Sequence, residues 1–118
     1  MQHCTTDNYR KSLDSAWPIR GAYGIPPAHR RPLERVAEAF GVRPELVLSD
    51  SRQAYLMPAR FALYKIMYDR CHTLVGAAAA VGRDHKTVAY GINRAEWMIE
   101  HDAGFAAMYA EAVGGDND

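Results

Sequence analysis

Eleven residues, VGRDHKTVAYG from Val81 to Gly91, gather a turn glycine at Gly82, two cations, an acid, a histidine and a threonine beside a run of alanines. Three chemistries compete for such a cluster: an acid–base pair, a metal site, or a head that reads another polymer. Asp84 and His85 do not suit acid–base work. Neighbouring helical side chains point about 100° apart, so an adjacent pair cannot orient each other. No nucleophile or second carboxylate stands beside them, and the chain is expected not to be an enzyme. His72, His85 and His101 lack the paired spacing that brings metal ligands together. No metal and no cofactor are therefore expected. Reading double-stranded DNA fits the residue types better. Asp84 can accept from a cytosine amino group, and His85 offers a ring nitrogen. Lys86 can donate to guanine or to phosphate, and Thr87 pairs a hydroxyl with a methyl that suits thymine. A plainer role for Thr87 is to close a capping interaction with Asp84.

These residues need a helix start to present them. Asp84 is a fitting N-cap, and Val88, Ile92, Ala95 and Ile99 form a helical apolar stripe behind it. Upstream, TLVGAAAAVG reads as a short helix capped by Thr73. Ala77–Ala80 permit close approach of a second helix, and Gly82 suits a left-handed turn. Two short helices around a tight glycine turn make a helix-turn-helix pattern. In that unit the N-terminal residues of the second helix enter the major groove.

Further helices are predicted over PLERVAEAF, where Pro32 suits the first turn and Gly41 the end, and from Met57 to His72. VRPELVLS reads as a short helical turn with Val42, Leu46, Val47 and Leu48 facing inward, and SDSRQAYLMP as a polar connector. A short tail helix, FAAMYAEAV, is expected before a fraying GGDND end. No strand alternation or internal repeat is present. The fold class is all-α, a small helical bundle containing a helix-turn-helix. Three segments follow: an irregular extension at 1–31, the DNA-binding domain at 32–101, and an acidic tail at 102–118. Trp17, Ile19, Tyr23 and Ile25 are expected to lie against the body.

The 118 residues suffice for one domain with a modest core. No run approaches the roughly 20 apolar residues of a membrane span, and the N-terminus lacks the apolar middle of a signal peptide. A cytoplasmic chain without a membrane partner is expected. Its two cysteines, Cys4 and Cys71, suggest neither a disulfide framework nor zinc spacing; Cys71 is expected in the core. The net charge of zero hides an asymmetry: residues 43–94 carry eight Lys/Arg against four Asp/Glu, and residues 95–118 carry none against six. The middle suits a polyanion and the end repels one.

The stretch GRDHKTVAYGINRAE resembles the signature of the C-terminal DNA-binding domain, domain IV, of the bacterial replication initiator DnaA. VAEAFGVRPELVLSDSR and PARFALYKIM are similar to that domain's flanking segments, so the likeness covers about residues 32–100. It implies a Trp-repressor-like helical bundle binding short sites in duplex DNA. Matched residue by residue, Arg52 takes the place of a loop arginine that enters the minor groove. Arg60, Arg83 and Arg94 fall at positions expected to meet phosphate. Asp84, His85, Lys86 and Thr87 form the major-groove face. Lys86 departs from the family's threonine or serine, and Asn93 from a basic residue. The loop SDSRQAY is poorer in cations than the family's, which implies a shallower salt dependence. No G-x-x-x-x-G-K-[ST] loop is present, so no nucleotide is expected. The function implied is regulation of transcription or replication, in a bacterial, phage or mobile-element setting near the nucleoid. A degenerate helix-turn-helix serving as a protein-interaction module or inhibitor is the alternative. A protein partner would then meet residues 1–31 or the acidic tail.

Overall fold

A computed structural model describes residues 29–116 of the chain. Among these residues there are six α-helices and no strand. They are α1 (Arg30–Phe40), α2 (Pro44–Val47), α3 (Met57–Cys71), α4 (Leu74–Val81), α5 (His85–His101) and α6 (Ala103–Asp116), with a 3-10 turn at Ala54–Leu56 before α3. The fold is a small all-α bundle, as the sequence predicts. No helix among the described residues is long and apolar enough to cross a membrane. The expected packing of Trp17, Ile19, Tyr23 and Ile25 lies outside the described residues.

Helix α3 is the hub. It packs on α1, α4, α5 and α6, and Phe61, Leu63, Tyr64, Ile66 and Met67 are all buried. A helix contacted from several sides has no polar face to keep, which is why its apolar residues do not form one stripe. Helix α1 buries Pro32, Leu33, Val36 and Ala37. Its end is set by Gly41, at φ 69°, whose N–H returns to the α1 carbonyls. Only a residue tolerant of the left-handed region closes a helix this way cheaply. Helix α3 ends on a left-handed residue too, but there it is His72, at φ 65°.

Helix α6 does more than the expected tail. It runs longer than the predicted short helix and packs along α1 and α5. Phe105 and Ala112 are buried in the common core, and Phe105 meets Phe40 with ring centroids 5.4 Å apart. Cys71, half-buried at the end of α3, is disulfide-bonded. A lone disulfide of this kind carries no framework spacing by which the sequence could announce it.

Helices α3 and α5 meet closely at Gly91. A Cβ there would collide with the Tyr64 ring and come within 3.2 Å of Phe61. Tyr64 is 3% exposed and has nowhere to swing. Gly91→Ala gains up to about 1 kcal/mol of helix propensity, against about 1–3 kcal/mol for overpacking. The expected outcome is net destabilisation of about 1 kcal/mol, read as a lower urea midpoint.

His29, buried at the start of α1, has its pKa lowered to about 4, mainly by burial and then by the charge of Arg70. Above pH 6.5 both folded and unfolded chains hold this histidine neutral. Between pH 6.5 and 4 only the unfolded chain takes up the proton, so stability falls as pH falls through that window. The expected loss reaches up to about 3 kcal/mol by pH 4. Denaturant titrations at several pH values measure it, and His29→Gln flattens the slope between pH 6.5 and 5.

Candidate nucleic-acid interface

The helix-turn-helix segment is built by local chemistry. Thr73 begins α4, its hydroxyl accepting from the Gly76 N–H at 2.9 Å. Gly82 ends it at φ 70°, donating its N–H to Ala78 and Ala79, while the Arg83 N–H also reaches Ala78 at 3.1 Å. The chain thus turns within three residues and re-enters a helix at His85. Ala77, Ala78, Ala80 and Val81 on α4 are buried, as are Val88, Ile92 and Ala95 on α5. Small side chains on the first helix let the second pack against it.

Asp84 caps α5. Its Oδ1 accepts from the Thr87 N–H at 2.7 Å, and its Oδ2 accepts from the Thr87 hydroxyl at 3.1 Å. The Thr87 N–H, then the Thr87 hydroxyl, hold the Asp84 carboxyl below its ordinary pKa. The plain capping role foreseen for Thr87 is therefore present. Both residues remain exposed, with open space in front of residues 83–87. His85 and Lys86 stand at the same tip, exposed, and among the described residues no hydrogen bond or ion pair engages their side chains.

Two arginines expected at phosphate have other work. Arg60 is 8% exposed. Its Nε donates to the Val47 carbonyl at 2.5 Å, and its Nη2 to Leu46 at 3.2 Å and Ser49 at 3.1 Å. Burial, above all, lowers its pKa from the usual arginine value. Arg83 is half-buried and donates from Nη2 to the Leu48 carbonyl at 2.5 Å and to Ser49 at 3.1 Å. These carbonyls end α2 and open the 49–53 loop, where no further helical turn supplies donors. Charged donors on otherwise orphaned carbonyls are the stronger sort of hydrogen bond. The sequence pattern could not reveal this use, because a guanidinium suits a carbonyl as well as a phosphate.

Arg52 sits on that loop, exposed. The loop is further tied by Ser49 Oγ on the Leu46 carbonyl, by the Ser51 N–H on Ser49 Oγ, and by the Gln53 N–H on Ser51 Oγ. The loop and the head of α5 flank a common cleft. Arg94 lies further along α5, half-buried, its guanidinium 5.1 Å from the Trp97 ring centre. Sequence reasoning missed two features here. Tyr90, 59% exposed, stands one turn beyond the tip against Phe61. Trp97, 50% exposed, stacks on His101 at 4.3 Å. Their helical spacing of seven residues from Tyr90 to Trp97 was the available signal. Among the described residues, no group of three His, Cys, Asp or Glu side chains is placed to hold a metal ion.

Comparison with known proteins finds no matching family model, no matching curated protein and no matching solved structure.

Arg83 joins the loop to the turn before α5, and its bonds involve a charged donor. Arg83→Ala is expected to cost about 2 kcal/mol. It is also expected to speed amide exchange across residues 49–53, while Arg83→Lys restores the charge but only part of the protection. Hydrogen exchange followed residue by residue measures both.

Proposed function

We propose that this domain binds double-stranded DNA in a sequence-dependent way. The tip of α5 enters the major groove with His85 and Lys86 as the principal readers, and Arg52 reaches the adjacent minor groove. The observation that carries the reading is a division of labour around one turn. Asp84, Thr87, Arg60 and Arg83 are spent on capping and on loop carbonyls, whereas His85, Lys86 and Arg52 remain exposed. An unspent cation and imidazole at a helix tip, beside a braced loop with its own arginine, match what groove readers use. Asp84 and Thr87 keep a secondary part, through the Thr87 methyl and the spare carboxylate lone pairs. Arg94, over Trp97, is the remaining phosphate contact. The resemblance to DnaA domain IV supports the same docking, and it points to control of transcription or replication.

Around the tip and the loop, with Arg60 and Arg83 spent on carbonyls, phosphate contacts are few. The salt dependence is therefore shallow, because each neutralised phosphate contributes about 0.9 to the logarithmic slope. His85→Ala and Arg52→Ala are each expected to weaken a preferred duplex about 5- to 150-fold while nonspecific duplex changes less. Lys86→Ala is expected to lower affinity and, where it meets phosphate, to reduce the salt slope by about one. Fluorescence anisotropy over a salt series measures all three. Parental affinity in all three variants would rule the docking out.

The exposed Trp97–His101 stack favours a second reading, a protein-interaction module on the other end of α5. Under it, Trp97→Ala abolishes partner capture, and nuclease treatment leaves capture intact.

A further inference from the structure

Between the 49–52 loop and α5 lies a cleft of about 290 Å³. Three guanidiniums line it, from Arg52, Arg60 and Arg83, against a single carboxylate, Asp50. Arg60 and Arg83 converge on the same Ser49 carbonyl, each at 3.1 Å. Among the described residues, no carboxylate lies within ion-pair distance of any of the three arginines. Carbonyls satisfy their donors but leave their charge. The Nη1 of Arg60, on a side chain more than nine-tenths buried, meets only the Met57 thioether at 3.7 Å among the contacts of that nitrogen, and a thioether is a weak acceptor. The opposite wall is aromatic. Phe61 and Tyr64 are buried within it, and Tyr90 stands at the mouth, braced edge-on to Phe61 with centroids 5.9 Å apart.

A cleft that pairs surplus positive charge with a fixed aromatic ring suits one ligand chemistry: a phosphate joined to an aromatic base. Its volume, just under the roughly 300 Å³ at which ligand sites begin, leaves room for no more than a single nucleotide. We infer that this cleft binds a free nucleoside monophosphate, with the phosphate on Arg52 and the Arg60–Arg83 pair and the base stacked on Tyr90. No glycine-rich phosphate loop is required, because guanidiniums replace the backbone donors. The site shares Arg52 with the proposed duplex reading but does not rest on it, and it is tested without DNA.

The test is a titration of the full chain, followed by NMR, with adenosine 5′-monophosphate, inorganic phosphate and adenosine as separate probes. The monophosphate is expected to bind saturably and at least about tenfold more tightly than either fragment, as stacking is typically worth that factor. Shifts are expected to centre on Ser49–Arg52 and Thr87–Tyr90. Tyr90→Ala is expected to weaken the monophosphate about tenfold and to leave inorganic phosphate unchanged. Arg52→Ala is expected to weaken both. Both residues are exposed, so neither variant threatens the fold. Absence of saturable binding at millimolar monophosphate would overturn the inference, as would shifts centred elsewhere. Tighter binding of a single strand lacking a terminal phosphate would also overturn it, by assigning the cleft to a strand. Failure of duplex binding with the mononucleotide site intact would sink the proposed function alone.

Discussion

Two arginines sharing one carbonyl hold this structure's candidate surface together. The Ser49 oxygen accepts from both Arg60 on α3 and Arg83 in the turn before α5. One contact therefore joins the hub helix, the 49–53 loop and the turn before α5. A short loop with exposed polar residues would otherwise have little to fix it, since backbone carbonyls beyond a helix end are usually left to water. Here they are bound by charged donors that come from rigid elements. The positions of Arg52 on one side and of His85 and Lys86 on the other follow from that brace.

The brace depends in turn on the packing beneath it. Helix α3 can supply a buried arginine only because other helices cover it on several sides. Gly91 lets α5 settle against Tyr64 and Phe61, and the alanines of α4 let the turn close. Helix α6 seals the far side through Phe105. Small residues at contacts and large ones between them are how a domain of this size reaches a dense interior.

Much of the fold was legible because its signals are local. Asp84 and Thr73 cap as their types suggest, Gly41 and Gly82 end helices, and Val88, Ile92 and Ala95 keep the stripe that buries α5. The site was legible only in part. His85 and Lys86 stand at the tip, which follows from their place just after the cap. The carbonyl partners of Arg60 lie 11 to 14 residues away, and those of Arg83 lie 34 to 35 away. No pattern along the chain encodes such pairing. Helix α6 was underrated for a related reason. A short helix over FAAMYAEAV is plain in the sequence, but no local signal shows that Phe105 and Ala112 find a tertiary surface.

Under the proposed function, the exposed tip and the braced loop together read duplex sequence. Selection of bound duplexes from a random pool tests it most directly, with the parent and Lys86→Thr run side by side. The expected result is one enriched short motif for the parent and a changed preference at a single position for the variant. Pools that stay unenriched, or the same motif unchanged in the variant, would contradict the account.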